Sequence, residues 1–386
     1  MKILYLSDHN PESSTFIKQD VCYINKIFSI KYFYFHYSEL TFNDVESKLI
    51  LFPSGSIRSK IKWQLEKNHL IFNWRNSKFG KKLKNEIQNF APDIIHCQFA
   101  YEGSKLLHNY MPSCPVILNF RGYGASSKLK NRKYVDWLRK VLKLKNIYAV
   151  FVSNSLKLNL ENHNITFKNE PKILYTGVNL NLFKRVDNSV PEKNTINRNE
   201  KFFFTQVGSF NEKKGQELTI RAFKEFLLIN DANHFILKFI GEGRNLKKCI
   251  KLVSELELRE NVRFLGKMNQ SQIVEELKMS NVFVHHSITP PNGDQEGIPN
   301  SIIEAMAMEL PILSTYHSGI PEAVEHGLNG LLCNEYDIEH YANNMNSIKD
   351  WRLLKINREK VIKQFNLDNH SNNLKSYYNE ILRKYD

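Results

Sequence analysis

Residues Asn281–Thr315 read NVFVHHSITPPNGDQEGIPNSIIEAMAMELPILST. An apolar run is followed by a Pro- and Gly-bearing loop, an apolar stretch long enough for a helix, and a second apolar run. The pattern is strand, loop, helix, strand. Repeated along a chain, it makes a parallel sheet covered by helices. Glu296 lies just before the expected helix, and Glu304 lies inside its apolar run, among Ile302, Ile303, Ala305, Met306 and Ala307. A lone carboxylate there is costly to bury. Pro299 suits a first helical turn, and Gly297 lets backbone approach a ligand. With Ile298 these residues lead into a helix start whose N–H groups, from Asn300 and Ser301 to Ile303, suit a phosphate. Two carboxylates would flank that anion site, each able to accept sugar or ribose hydroxyls. The competing reading makes Glu304 a cap on its own helix and Glu296 a solvated loop charge.

The same alternation runs outward in both directions. MKILYLSD, SIKYFYFHY, DIIHCQFA, PVILNF, YAVFVSN and KILYTGV read as buried strands, with helical patterns such as Ser14–Phe28 and Trp74–Phe90 between them. After Phe183 comes KRVDNSVPEKNTINRNEK, polar and without period, which reads as a linker. The alternation then restarts with KFFFTQVG, HFILKFIG, NVRFLG, NVFVHHS, PILST and NGLLC, and His370–Tyr385 reads as a final helix. The expected fold is α/β: two Rossmann-like domains, 1–187 and 188–365, facing a cleft, with a C-terminal helix in 366–386. In such sheets ligands bind beyond the carboxyl ends of the strands.

Composition fits a soluble globular protein: of 386 residues 42% are apolar and 24% charged. The five cysteines are scattered without a C-x-x-C pair, which points to reduced thiols in a cytoplasmic protein. The N-terminus turns polar too quickly for a signal peptide, and no apolar run reaches membrane-spanning length. The expected location is the cytoplasm, peripheral on the inner face of the membrane. The formal charge of +14 is one-sided: residues 1–187 hold 29 Lys and Arg against 14 Asp and Glu, and the remainder 25 against 26. A basic first half suggests an anionic partner. Its densest segment, Ser127–Lys145, mixes cations with Tyr134, Val135, Trp137, Leu138, Val141, Leu142 and Leu144. It reads either as a solvated helix face or as a helix resting on anionic lipid. No recognition helix or aromatic-and-basic motif for nucleic acid stands out.

Common catalytic signatures are missing. There is no phosphate loop of the G-x-x-x-x-G-K type, no H-E-x-x-H, no G-x-S-x-G and no D-x-D. Gly241-Glu242-Gly243 lacks the third glycine of a dinucleotide fingerprint, and Asp294-Gln295-Glu296 alone is weak as a metal site. His285 and His286 are adjacent in a strand, so they point to opposite faces and cannot chelate together. VGSFNEKKGQELTIRAF places Lys213, Lys214 and Gly215 in a loop after a strand and before a helix. A lysine there can reach a diphosphate.

At these residues the chain resembles a known family. Glu296 and Glu304 form an E-x7-E followed by AMAMELPILST and HSGIPEAVEHGLNGLL. This looks like family 4 of the retaining glycosyltransferases, which have the GT-B fold. The Lys214-Gly215 loop, Ile240–Gly266 and TGVNLNLF fit as well, while NPESSTFI and NGDQEGIPN look closest to the colanic-acid and amylovoran exopolysaccharide type. The resemblance implies a nucleotide-sugar donor and no metal or other cofactor. It implies that Glu304 binds ribose, Glu296 the donor sugar and Lys214 the diphosphate. Gly297, Ile298 and Pro299 would give close backbone contact, and Gly241, Glu242 and Leu265 would lie near the nucleotide. The first domain would hold a lipid-linked glycan acceptor, and the last helix would cross back onto it. Two positions depart from the pattern. Ser209 stands where the family has a second diphosphate cation, with Lys213 a candidate replacement. Arg121 stands where the family has histidine, and an arginine is no general base at neutral pH; it can bind a phosphate or a sugar hydroxyl. A nucleotide-sugar epimerase and a non-catalytic transferase-like binding protein are the alternative readings.

Overall fold

The computed structural model describes residues 1–7, 15–34, 47–49, 78–185 and 201–385. The chain falls into two compact units, Met1–Leu174 with His370–Asp386, and Tyr175–Asn369. This division lies upstream of the expected 187/188 boundary because Tyr175–Arg185 packs on the second unit. Val178 bridges to Asn366, and the Tyr175 hydroxyl donates to Glu322 at 2.9 Å. Arg358 donates to the carbonyls of Phe183 and Ala307 at 2.8 and 2.6 Å. Most of the expected linker, and the NPESS portion of the first motif, lie outside the described residues.

The first unit is a seven-stranded parallel sheet. Its strands are β1 (Lys2–Ser7), β2 (Ser29–Tyr34), β3 (Ser47–Leu49), β4 (Ile94–Cys97), β5 (Val116–Phe120), β6 (Ile147–Phe151) and β7 (Lys172–Ile173), in the order β3-β2-β1-β4-β5-β6-β7. The second is a six-stranded parallel sheet. Its strands are β8 (Phe202–Val207), β9 (Phe235–Ile240), β10 (Val262–Phe264), β11 (Val282–Val284), β12 (Ile312–Thr315) and β13 (Gly330–Cys333), in the order β10-β9-β8-β11-β12-β13. Every apolar run read as a strand forms one, and β3 is an addition. Helices on both faces explain why these strands are apolar without alternation. All six residues of β9 are buried, Lys238 included. Its ammonium is satisfied by Glu276 at 2.7 Å and lies over the Phe203 ring at 4.4 Å.

In each sheet the strand order reverses once, between β1 and β4 and between β8 and β11. These switch points are where the loops leaving two neighbouring strands diverge and leave room for a ligand.

Two sequence expectations about surfaces are decided by packing. The last helix, Leu367–Tyr385, joins the first unit from His370 onward. Leu374, Tyr377, Tyr378 and Ile381 pack with Ile3, Tyr5 and Ile117. The Tyr378 hydroxyl meets those of Tyr5 at 2.8 Å and the His96 Nδ1 at 2.7 Å. The basic segment forms a helix at Arg132–Val141, capped by the Asn131 side chain, which accepts from the Tyr134 N–H. Tyr134, Val135, Leu138 and Val141 are buried in the core of the first unit. Those apolar groups are therefore not available to a lipid. What the segment offers solvent is charge: Arg132, Lys133, Lys140, Lys143 and Lys145 are exposed, beside Leu144.

Candidate active site

The candidate site of the second unit is built from loops at the carboxyl ends of β8, β11, β12 and β13. The first loop, Gly208–Gly215, closes in a short 3-10 turn at Glu212–Lys214. Gly215 ends that turn at φ +59°, where a Cβ would lie 1.9 Å from the His286 carbonyl oxygen. Only glycine fits both that torsion and that approach. Buried Gln206 donates to the Lys214 carbonyl at 2.7 Å and accepts from the Thr219 hydroxyl at 2.9 Å. Gln216 donates to the Ser209 carbonyl at 3.1 Å. The loop backbone is thus held at both ends by buried amide side chains.

The second loop runs from His285 to Pro299 and is tied to the first. Ile288 N–H donates to the Lys213 carbonyl at 3.0 Å. Lys214 Nζ stands 2.5 Å from Glu296 Oε2, and Lys213 Nζ stands 2.9 Å from Asp294 Oδ2. Two lysines of one loop therefore face two carboxylates of the other. Burial alone would raise the Glu296 carboxyl, but Lys214 and then Lys213 outweigh it and hold the group down at about 2. Burial would lower Lys213, but Glu296 and Asp294 hold its ammonium above the usual lysine value. Each carboxylate is engaged by a lysine through one of its two oxygens. Among the described residues no group of three or more His, Cys, Asp or Glu is arranged around a common point for an ion.

Beneath this pair lies His285. It is fully buried, its Nδ1 is 2.9 Å from the Ser287 hydroxyl, and its Nε2 has no hydrogen-bond partner among the described residues. Burial, then the charge of Lys214, pushes its pKa down to about 3, so the ring is neutral. His286 stacks on Tyr341 with centroids 4.2 Å apart. The two histidines thus point to opposite faces, as expected, His285 toward Lys214 and His286 against Tyr341. Glu296 Oε1 and Asp294 Oδ1 are also buried acceptors without partners among the described residues. Buried polar atoms in folded proteins are almost always satisfied, so this cluster marks a place for hydroxyl or N–H donors from outside the chain.

The helix after the loop spans Asn300–Ala307, with Pro299 as its N-cap rather than its first helical residue. The Ile302 N–H is engaged by the Pro299 carbonyl at 3.0 Å. The N–H groups available to an anion are therefore those at the very start, Asn300 and Ser301, and not the run to Ile303. Glu304 does not cap this helix. Its carboxyl has no hydrogen bond or ion pair among the described residues, and burial raises its pKa to about 7.

The other expected residues fall in two groups. Gly241, Glu242 and Leu265 follow β9 and β10, where backbone bonds stitch neighbouring loops together. Gly241 N–H donates to Gly266, Phe210 N–H to Glu242, and Leu265 N–H to Phe239, at 2.8, 2.8 and 2.9 Å. A Cβ on Gly241 would lie 2.1 Å from the Gly208 oxygen. Ser209 is exposed, and its hydroxyl accepts from Asn211 at 2.9 Å. Arg121 belongs to the first unit, just past β5. Its guanidinium donates to Asp20 at 3.2 Å and Gln98 at 3.1 Å and is nearly buried. Asp20 Oδ1 lies 3.1 Å from His370 of the last helix. Gln206, Thr219, His285, His317 and Glu335 also shape the site, and the sequence reading gave them no role there. Gln206 and Thr219 carry the only advance signal, as polar residues inside an apolar strand and on a helix start.

A cavity of about 290 Å³ opens beside Gly215, lined by Gln216, Asn245, Lys248, Pro290 and Tyr336. Neither glutamate nor Lys214 lines it.

Residues 188–365 match the family described as Glycosyl transferases group 1. An uncharacterized glycosyltransferase of Methanocaldococcus jannaschii is 27% identical over 75% of this chain and 70% of its own length. The amylovoran biosynthesis glycosyltransferase AmsK of Erwinia amylovora is 35% identical, over 35% of this chain and 33% of its own. Among solved structures, HepE of Anabaena in complex with UDP superposes with a TM-score of 0.71 at 17% identity, covering 98% of this chain and all of that one. A sucrose-phosphate synthase from Thermosynechococcus elongatus gives 0.77 at 17% identity over 99% and 100%. This chain has the GT-B glycosyltransferase fold, and residues 188–365 of it match the Glycosyl transferases group 1 model.

Proposed function

We propose that this protein is a retaining glycosyltransferase of family 4. It moves a hexosyl unit from a UDP- or GDP-sugar to a lipid-linked glycan in the assembly of a bacterial surface polysaccharide. The observation that carries this reading is the pairing of Lys214 with Glu296 over a cluster of unsatisfied buried acceptors, one loop away from the unpartnered Glu304. In this reading Glu304 accepts the ribose hydroxyls, which favour its ionised form. Glu296 and Asp294 accept sugar hydroxyls through their unsatisfied oxygens. Lys214 exchanges Glu296 for the diphosphate, and Lys213 supplies the second cation that Ser209 does not. Asn300 and Ser301 N–H groups, with Gly297, Ile298 and Pro299 beside them, meet the phosphates at the positive end of the helix.

As the bond from the anomeric carbon to the diphosphate breaks, negative charge grows on the leaving oxygen. Lys214 and the helix start stabilise that charge, and this is where the rate is gained. The chemistry asks for no metal. The first unit takes the acceptor in this reading, but Arg121, held by Asp20 and Gln98, acts there by orienting neighbours and not as a base. Localisation follows from charge. The exposed cations around Arg132–Lys145 hold the protein at an anionic inner membrane surface, each worth about 1 kcal/mol. No helix among the described residues is long and apolar enough to cross a membrane.

The test is release of nucleoside diphosphate from a panel of UDP- and GDP-sugars, with a bacterial membrane extract as acceptor and Glu304→Ala in parallel. Turnover of one donor, stimulated by acceptor and abolished in the variant, is the expected result. Donor turnover indifferent to acceptor would mean hydrolysis or epimerisation, and tight nucleotide binding without turnover would mean a binding protein.

A further inference from the structure

Glu296 is reached by a side chain from a third loop. His317 follows β12, two residues beyond Thr315, and is fully buried. Its Nε2 lies 3.3 Å from the backbone N–H of Glu296, and its Nδ1 lies 2.6 Å from Glu335 Oε1. Glu335 follows β13 and is itself fixed from the start of the Glu296 loop. Its Oε2 accepts from the Thr289 N–H at 2.6 Å and its Oε1 from the Thr289 hydroxyl at 3.0 Å. The Tyr336 hydroxyl donates to the Thr289 carbonyl at 2.6 Å. Gln295 closes the ring by donating to the Thr289 hydroxyl at 3.2 Å.

The chemistry of these partners fixes one tautomer. A backbone N–H only donates, so the Nε2 facing Glu296 carries the lone pair. An ionised carboxylate only accepts, so the Nδ1 facing Glu335 carries the proton. The carboxylate orients the ring, and the ring holds the one backbone N–H of the loop that belongs to Glu296. The arrangement parallels the way an outer carboxylate fixes the tautomer and angle of a functional imidazole.

We infer that His317, oriented by Glu335, is a positioning residue: it sets the backbone of Glu296 so that its carboxylate meets Lys214 in the free protein and the donor sugar in the complex. The inference rests on the donor reading above for its kinetic consequence, but not for its structural one. The two sites of contact can be separated by substitution. His317→Gln keeps an acceptor near the Nε2 position and gives up the Nδ1 donor. His317→Asn keeps a donor near the Nδ1 position and falls short of Glu296. Glu335→Gln offers an amide N–H where an acceptor is needed, which turns the ring toward the wrong tautomer.

The experiment has two arms on the full chain. The first is amide hydrogen exchange of the ligand-free protein. Residues 294–298 exchange faster in His317→Asn and Glu335→Gln, while His317→Gln retains the wild-type protection and β9 is unchanged in all three. The second arm is kinetics with the donor found by the panel. His317→Asn lowers kcat by roughly 10- to 100-fold, as a misplacement of about 1 Å does. Affinity for the free nucleoside diphosphate changes by no more than about twofold, because Glu304 and the helix start are untouched, and His317→Gln recovers most of kcat. Equal exchange in His317→Asn and wild type overturns the inference, and so does equal impairment of the Asn and Gln variants in either arm, which would mean packing alone. If no donor is turned over, the function proposed above fails while the exchange arm still decides whether His317 holds Glu296.

Discussion

Replacing Glu304 by glutamine should strengthen the fold and weaken the ligand. Burial pushes the carboxyl from the ordinary 4.5 up to about 7, and no partner among the described residues offsets it. Below pH 4.5 the group is protonated in both the folded and unfolded chain and contributes nothing. Between 4.5 and 7 the folded chain holds the proton more tightly, so stability falls as pH rises. Above 7 the charge is present in both states and the full penalty applies. Raising the carboxyl from 4.5 to about 7, at about 1.36 kcal/mol per pH unit, gives about 3 kcal/mol, an upper value since Glu304 is only partly buried. Glutamine has nearly the same shape and no charge. Urea unfolding of wild type and Glu304→Gln at pH 5 and pH 8 should show a difference between the two proteins that grows by about 2 kcal/mol toward alkaline pH, in favour of the variant. Any constant cost of burying the amide cancels in that comparison. Nucleotide affinity should move the other way. Losing two hydroxyl bonds to a charged acceptor, each worth about 1.5 kcal/mol or more, weakens binding by roughly 100-fold. In wild type the affinity should fall as pH drops below 7 and the carboxylate takes up a proton. A stability difference independent of pH, or a variant that binds nucleotide like wild type, would refute the reasoning.

Three further outcomes follow from the geometry. Lys214→Met should lower kcat by roughly 10²- to 10³-fold, the usual cost of removing a donor from a developing oxyanion, with donor release kinetics as the assay. Gly215→Ala should destabilise the second unit by about 3 kcal/mol or more in denaturant unfolding, because the new Cβ meets the His286 carbonyl at a positive φ. Charge reversal of Lys140, Lys143 and Lys145 to glutamate should abolish co-sedimentation with phosphatidylserine vesicles at about 0.1 M salt and leave donor turnover in detergent unchanged; insertion through the apolar face would instead make binding insensitive to salt.

Parallel sheets announce themselves in sequence because burial on both faces demands unbroken apolar runs, and each such run here formed a strand. Glu296, Glu304 and Lys214 were legible too. Glu304 stood out as a charge inside an apolar run, while Glu296 and Lys214, each readable alone as a solvated loop charge, stood out through their place after a strand and before a helix and through the family resemblance. The supporting residues were not legible. His317, Glu335 and Thr289 come from loops after three different strands, and only the sheet order brings them together. The basic helix misleads in the opposite way. Its apolar positions look equally suited to lipid or core until the helix is seen packed, with Tyr134, Val135, Leu138 and Val141 inside. Arg121 likewise reads as a cation offered to a ligand, and its partner Asp20 lies 101 residues away on a different element.

The last helix has a bearing on how the protein is born. The hydroxyl of Tyr378 is the partner of Tyr5 and His96, and His370 is a partner of Asp20. Tyr5, Asp20 and His96 leave the ribosome early, while the groups that complete them emerge after the whole second unit. Until then the first unit holds an unfinished core, with Ile3 and Ile117 uncovered on that face. The second unit, Tyr175–Asn369, is complete in sequence before residue 370 and can fold first. Synthesis is vectorial, yet the half made first is the half completed last, so a nascent chain arrested before residue 370 should be a client for chaperones in a way that an excised second unit is not.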